Sequence, residues 1–415
     1  MTMSRVEAQR GSTQTRRAFA WFMASPSGFM RSVSRTIAEL LKERWQARRQ
    51  VQRQLDPRVH RGWTFAVLRA VTNALLRDLN TSLVAEEMRR GTRCIYVDYV
   101  DYDEIAHHAG IFRPESLAAL DGLDRTVAAL SRLAESAPRR YRLVMLSDHG
   151  QSQGTTFADR YGQALGDLAA ALIEERVQSV DASVEGLGRV DSIAEDLGSG
   201  GLTGRLATRA DAGLTRAQQT APPGGPSEQP VVVLGSGNLG LLYLRDGPRR
   251  TLDELGREWP ALVPGLAAHP GIGFVAGVDD SGVPWAVGAA GRHDLATGAV
   301  EGSDPLAPFG AHSARMLRRA VRMPAAPDLY VNSTVDPVTL DVNAFEGLVG
   351  SHGGLGGWQD HAMLLGPADL MAGLPDRIEG ADELHRILVG MLERCGQRGD
   401  SRPDKSPLGD EAPGP

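Results

Sequence analysis

The chain has 415 residues, of which 42% are hydrophobic and 23% charged, a composition typical of a globular protein with one large domain or two ordinary ones. No apolar run approaches the roughly 20 residues needed to cross a bilayer, and Met1 to Thr15 lack the apolar core of a secretory signal, so we expect a cytoplasmic protein. Two cysteines far apart in sequence, Cys94 and Cys395, indicate no disulfide framework.

Positive charge is concentrated at the start of the chain. Residues 1–95 contain 18 Lys/Arg against 7 Asp/Glu, a net charge of +11, which leaves −17 for the remainder of a chain whose total is −6. A basic region can bind nucleic acid or an anionic membrane surface, but no recognised nucleic-acid module or interleaved aromatic residues accompany this one. The alternative is that the arginines lie on solvated helix faces, some of them packed against the acidic remainder.

The first 92 residues are predicted to form a basic helical region. Ser25 as N-cap and Pro26 in the first turn begin a helical pattern that extends to residue 55, where an Asp-Pro pair breaks it. Two further helices are predicted over residues 64–77 and 83–90 from apolar residues at helical spacing. We expect these helices to cover a sheet or to form a lobe over the functional site.

After the helical region, strand-like segments alternate with helical ones. Residues 94–100 are β-rich, residues 114–137 have a helical pattern, and residues 142–146 are an apolar run that ends at Asp148-His149-Gly150. This order predicts a right-handed βαβ crossover, which places the carboxyl ends of two parallel strands side by side. We therefore predict an α/β domain over residues 93–395, with a mostly parallel sheet and helices on both faces.

Acidic and imidazole side chains follow these two predicted strands. Asp103 and His107 are four residues apart, so one helical turn brings them to one face. Asp148 and His149 end the second strand, at the sheet edge where ligands of α/β proteins collect. His352 stands among glycines, which leave its imidazole uncrowded. Carboxylate oxygen with imidazole nitrogen suits zinc, manganese or iron, whereas the Asp148-His149 pair taken alone is more typical of a turn Asp and a surface His.

Taken in order, the three motifs resemble those of a known family. An Asp103-x-x-x-His107, then Ser147-Asp148-His149-Gly150, then Ser351-His352-Gly353-Gly354 resembles the alkaline phosphatase superfamily, in particular its type I phosphodiesterase/nucleotide pyrophosphatase branch. The resemblance covers roughly residues 94 to 370 and implies an alkaline-phosphatase-like fold. It also implies two divalent ions, zinc or manganese, in the complete domain. Asp103, His107 and His352 would hold one ion, and Asp148 and His149 would belong to the other.

The resemblance further implies an Asp on the first strand and a Thr or Ser nucleophile at a helix start, and neither is found before Asp103. We therefore expect a domain that is incomplete at its N-terminus, and any membrane anchor in that part would be missing with it. Thr155 and Thr156 are the nearest hydroxyls after Asp148. A replacement nucleophile there is the alternative, although such a group needs its own metal or base.

Two segments of the later chain need a choice between interpretations. Gly235–Gly240 has the spacing G-x-G-x-x-G, but residues 241–244 continue as a strand, so we interpret it as a turn and not as a dinucleotide site. His361 competes with His352 for the role of metal ligand, and we favour His352 for its glycine setting.

The remaining segments are predicted from composition and periodicity. A helix is predicted over residues 161–176, and residues 177–230 are rich in Gly, Ala and Ser, which is typical of a flexible insertion or linker. Further strands and a closing helix over 382–395 complete the domain, and residues 396–415 are predicted to be a disordered tail.

The resemblance implies a metal-dependent hydrolase of phosphate esters, with a small phosphate ester or a nucleotide as substrate. No catalytic residue is assigned, so the chain as given is expected to be inactive unless a residue within it replaces the nucleophile. The alternative is a non-catalytic module that binds metal or phosphate. Nucleic acid is not an expected partner, and membrane association is expected only through a missing N-terminal part.

Overall fold

The computed structural model describes residues 26–70, 74, 76–174, 177–181, 231–245 and 247–397. Most of the predicted linker, residues 182–230, and most of the predicted tail, residues 398–415, lie outside this part.

Twelve α-helices lie in the described part of the chain, and the predicted helices over 25–55, 114–137 and 382–395 are confirmed to within one turn. In chain order they are α1 (Pro26–Gln52), α2 (Trp63–Ala70), α3 (Arg77–Arg90), α4 (Asp101–Ala109), α5 (Pro114–Ser136), α6 (Phe157–Tyr161), α7 (Leu165–Ile173), α8 (Leu252–Glu258), α9 (Leu262–Ala268), α10 (Ser313–Val321), α11 (Ala368–Met371) and α12 (Ala381–Arg394). Short 3₁₀ turns occur at Ala307–Phe309 and Gly357–Asp360.

Local sequence explains where several helices begin and end. Pro114 opens α5, where its missing N–H costs no intrahelical hydrogen bond. Gly91 ends α3 in the left-handed conformation with φ 75°, which glycine adopts without strain. Thr251 caps α8 through a reciprocal pair of hydrogen bonds with Glu254. The helix predicted over 161–176 is shorter in the structure, where α7 covers Leu165–Ile173, because Gly162 adopts a left-handed conformation with φ 73° and ends the preceding α6 at Tyr161.

The described strands form one large sheet and two short ladders. The strands are β1 (Met145–Leu146), β2 (Ser152–Gln153), β3 (Val177–Asp181), β4 (Val231–Ser236), β5 (Leu239–Leu244), β6 (Ile272–Val278), β7 (Pro284–Gly288), β8 (Gly291–Asp294), β9 (Val300–Gly302), β10 (Leu329–Ser333), β11 (Gly350–Ser351) and β12 (Leu364–Leu365). The eight-stranded sheet has the order β3-β4-β5-β10-β6-β7-β8-β9, and the short ladders pair β1 with β12 and β11 with β2. β3 is formed by the first five residues of the predicted linker.

The prediction of a mostly parallel sheet is wrong. Only β3 and β4 pair in parallel, and every other pair of neighbouring described strands is antiparallel. The reason is visible in the connections, because two-residue turns join β4 to β5 and β7 to β8, and such turns can link only antiparallel neighbours. The turn at Gly237-Asn238 confirms that the G-x-G-x-x-G segment belongs to a hairpin.

The predicted βαβ crossover at the start of the domain is also wrong. Residues 94–100 have no regular secondary structure, and β1 has only two residues, which pair antiparallel with β12. Ile95 and Val97 instead contact a small cluster with Val84, Met88 and Leu130 of α3 and α5. Packing against two helices thus accounts for the apolar pattern that the sequence presents as a strand.

Helices cover both faces of the large sheet, as predicted. Val275 and Val331 belong to a core cluster with leucines of α7, α8 and α9. The alternate residues Phe274 and Tyr330 belong to a second cluster with Leu317 of α10. Successive strand residues point to opposite faces, so the two clusters lie on opposite sides of the sheet. No described helix has the length and apolarity required to span a bilayer.

Candidate metal centre

Helix α4 presents two of the predicted ligands from one face. Asp103 and His107 are separated by one turn, and the His107 Nε2 atom lies 3.4 Å from the Asp103 Oδ1 atom. His107 is buried, whereas Asp103 is partly exposed. The spacing seen in the sequence therefore places a carboxylate and an imidazole beside each other.

Two short contacts bring the distant His352 to this helix. β11 pairs with β2, so the segment before His352 is joined to the segment that follows His149. β11 is also tied to the end of α4, because the Val349 N–H donates to the His107 carbonyl over 2.8 Å. His352 Nε2 consequently lies 3.6 Å from the same Asp103 oxygen.

The three side chains fit a single divalent ion. One ligand atom from each of Asp103, His107 and His352 lies within 4.8 Å of the others. Ligand atoms around tetrahedral zinc lie about 3.3 Å apart, given metal–ligand distances of about 2.0 Å, and the two measured separations are close to that value. His352 Nε2 is buried without a hydrogen-bond partner among the described residues, as expected for an atom whose partner is an ion.

Hydrogen bonds set the orientation of two of these ligands. The His107 Nδ1 atom lies 2.7 Å from the Gly350 carbonyl oxygen, so Nδ1 donates a hydrogen bond to that oxygen, and Nε2, which faces Asp103, is the nitrogen that can bind an ion once it has lost its proton. The Gln151 amide donates to Asp103 Oδ1 over 2.5 Å and fixes the carboxylate. Sequence reasoning missed Gln151, although it directly follows the Asp148-His149-Gly150 motif.

The protonation of the three groups follows from the same contacts. Burial lowers the pKa of His107, but the hydrogen bond to Asp103 and the Asp103 charge outweigh it and raise that pKa to about 9. Burial raises the pKa of Asp103, but the His107 hydrogen bond and charge hold it below the ordinary value. Burial and the nearby His107 lower the pKa of His352 to about 4, so this imidazole is neutral at pH 7.

Asp148 and His149 lie beside the three-residue group. The His149 ring stacks on the His352 ring with centroids 3.7 Å apart and an interplanar angle of 24°. His149 Nδ1 lies 2.8 Å from the Gly150 carbonyl oxygen, and its Nε2 lies 3.6 Å from Asp148 Oδ1. The Asp148 side chain is 75% exposed, so this pair faces the open side of the centre.

Glycines allow the segments of the centre to approach each other. A Cβ atom at Gly350 would overlap the Ala106 carbonyl of α4. Gly237, in the turn between β4 and β5 with φ 59°, lies directly against the His352 backbone, and a Cβ atom there would overlap the His352 carbonyl. The G-x-G-x-x-G turn therefore supports His352 from the large sheet.

Other candidates from the sequence lie outside the three-residue group. His361 is exposed beside Trp358 and contributes no ligand atom to that group. The Thr156 hydroxyl accepts from the Asp159 N–H over 3.1 Å and donates to the Asp159 carboxylate over 2.7 Å. Thr156 is thus the N-cap of α6, and the Thr155 carbonyl accepts from the Asn343 amide over 2.7 Å.

Comparison with known proteins identifies one similarity. Residues 3–188 match the model of a family described as type I phosphodiesterase / nucleotide pyrophosphatase. The matched range includes Asp103, His107, Asp148 and His149, and it ends before His352. No curated protein and no solved structure shows a significant match to this chain.

Proposed function

We propose that this chain is a metal-dependent hydrolase of phosphate esters, because residues 3–188 match the model of the type I phosphodiesterase / nucleotide pyrophosphatase family. The observation that carries the proposal is the convergence of two imidazole nitrogens on one Asp103 oxygen, at 3.4 Å for His107 and 3.6 Å for His352. Two neutral nitrogens and one carboxylate leave a divalent ion with net positive charge and open positions for a phosphate oxygen or water.

Asp103, His107 and His352 would hold a first ion, zinc or manganese. Asp148 and His149 would contribute to a second ion on the open side. When bound, such ions withdraw charge from phosphate oxygens and lower the pKa of water. The chain's own residues provide the frame for that chemistry. Gly350 fixes the His107 tautomer through its carbonyl, Gln151 holds the Asp103 carboxylate, and the stacked rings of His149 and His352 keep the two ligand sets adjacent.

The substrate class follows from the family and from the position of the second ligand pair. Members of this family act on phosphate esters or nucleotides, and the exposed Asp148 carboxylate places the second pair where a substrate from solvent can reach it. We propose a small phosphodiester or nucleotide as the substrate.

The test is hydrolysis of an aryl phosphodiester by the purified chain with added manganese or zinc. The variants are His352→Ala and Asp148→Ala, and His361→Ala is the matched control because this histidine is exposed and outside the group. We expect turnover that falls at least about a hundredfold in both site variants, the usual cost of losing a metal ligand or its support, and that is unchanged in the control. Turnover that is unaffected in both site variants would refute the metal assignment.

A second candidate is a module that binds metal without turnover. The Thr156 hydroxyl, one of the two hydroxyls considered as a replacement nucleophile, is already hydrogen-bonded in the N-cap of α6. This observation favours the binding module. Titration calorimetry separates the two candidates. Manganese binding that is lost in His352→Ala, without hydrolysis by the native chain, would support the module.

A further inference from the structure

Helix α1 is attached to the rest of the molecule through its polar side. Glu43 is fully buried and contacts two buried arginines, Arg61, whose Nε lies 3.3 Å from it, and Arg69 of α2. Two turns along, the buried Gln50 amide donates to the Glu115 carboxylate of α5 over 3.2 Å. An amphipathic helix on a globular core normally buries its apolar stripe, so this arrangement is inverted.

The apolar stripe of α1 consequently faces outward. Ile37, Leu41 and Trp45 follow each other at four-residue spacing and are 54%, 64% and 57% exposed. On α2, Trp63 and Val67 are also more than half exposed. The Arg44 guanidinium lies 4.7 Å from the centroid of the Trp63 ring and so connects the two helices at this surface. We call these five apolar residues the outer face, and an apolar surface of this kind marks a site of interaction.

A cavity lined with arginines adjoins the outer face. It has a volume of about 520 Å³ and lies between the end of α1 and residues 58–61. Arg44, Arg48, Arg58 and Arg61 line it together with His60, and no acidic residue does. Arg61 pairs with Glu43, but the other three arginines make no ion pair with a carboxylate in the described part of the chain.

Two nitrogen atoms of the arginines that line this cavity lack hydrogen-bond partners. Arg44 Nε and Arg61 Nη2 are buried without a hydrogen bond to any described residue. Arg44, Arg48 and Arg58 have no carboxylate partner in the described part of the chain, and guanidinium groups of this kind bind phosphate oxygens, often through two parallel hydrogen bonds. The cavity therefore has the charge and the donors of a phosphate site.

We propose that the outer face and the arginine cavity together dock on an anionic phospholipid surface. Tryptophan and leucine side chains enter the interface between headgroups and acyl chains, while the arginines bind lipid phosphates. The net charge of this region distinguishes an anionic membrane from a second copy of the chain as the binding partner. Residues 26–70, which form this side, contain 10 Lys/Arg against 3 Asp/Glu, a net charge of +7, so an anionic surface attracts this side, whereas two copies of the face would repel each other. Binding of a free phosphate ion in the cavity would leave the apolar residues of the outer face exposed to water.

The test is sedimentation of the full chain with vesicles of phosphatidylcholine alone or of phosphatidylcholine with about 30% phosphatidylglycerol, a composition that supplies the anionic surface. We expect binding only to the anionic vesicles, weakened at high salt because screening acts on the arginine contacts. The double variant Arg48→Gln/Arg58→Gln should bind at least about tenfold more weakly, from roughly fivefold for each arginine. Leu41→Gln/Trp45→Gln should also lose binding.

Matched controls are Arg386→Gln, an exposed arginine of α12, and Val338→Gln, an exposed valine away from the outer face. Both should bind like the native chain, and circular dichroism should show that all variants are folded. Equal binding to both vesicle types, no binding to either, or unchanged binding of the double variants would overturn the proposal. A dimer in solution that dissociates in the Leu41→Gln/Trp45→Gln variant would also overturn the proposal. Displacement of the chain from vesicles by micromolar pyrophosphate would do the same.

Discussion

His107 must lose a proton before it can bind a metal ion, and Asp103 holds that proton in place. With a pKa of about 9, the His107 imidazole is protonated in about 99 of 100 metal-free molecules at pH 7. An ion binds only the neutral imidazole, so the apparent affinity should rise about tenfold for each pH unit between 7 and 8 and level off above 9. His352, with a pKa of about 4, is already neutral and adds nothing to this dependence.

The assay is titration calorimetry with Mn²⁺ at about pH 6.5, 7.5 and 8.5, each in two buffers of different ionisation enthalpy, which reports the protons released. We expect about one proton released per ion at pH 7.5. Asp103→Asn removes the carboxylate that raises the pKa of His107, so binding should weaken but lose its dependence on pH above 7.

An ordinary histidine with a pKa of about 6.5 would give an affinity that is level above about pH 7.5. The same affinity at pH 7.5 and 8.5, with less than about 0.3 proton released, would therefore refute the coupling between His107 and Asp103.

Three further predictions concern the frame of the site. Glu43→Gln leaves two buried arginines without a counter-charge and should lower the free energy of unfolding, measured in urea, by about 3–5 kcal/mol. The control Glu86→Gln removes an exposed ion pair and should lower it by less than about 1 kcal/mol. Gly350→Ala should weaken Mn²⁺ binding at least about tenfold because its Cβ atom pushes β11 away from α4, while Gly347→Ala, in open space, should not; equal affinities would contradict this packing. Thr156→Ala should cost about 1 kcal/mol of thermal stability and leave kcat unchanged, and a thousandfold loss of kcat would instead make Thr156 the nucleophile.

The sequence was a good guide to side chains that lie one helical turn apart and a poor guide to how strands pair. The spacing of Asp103 and His107 is enough to place them on one face of α4. The direction of the sheet was mispredicted because apolar runs of strand length do not distinguish parallel from antiparallel neighbours. The short turns between β4 and β5 and between β7 and β8 carried that information.

The position of His352 could be proposed only from the order of motifs. Its approach to α4 depends on a ladder of two residue pairs, between β2 and β11, and no periodicity predicts so short an element. The role of Gln151 was not visible either, since a single amide has no pattern of its own. The sequence also could not show that α1 buries its polar side, because that burial depends on partners elsewhere in the chain, such as Arg69.

The contact between His107 and Gly350 joins positions 243 residues apart in the chain. An ion held by Asp103, His107 and His352 would therefore act as a cross-link that closes a very long loop. If loop entropy acts as it does for a disulfide, closure of this loop favours the folded state by on the order of 5 kcal/mol. Such a link forms only after the large sheet has been synthesised, so acquisition of the ion would be a late step of folding that locks the N-terminal helices to the rest of the chain.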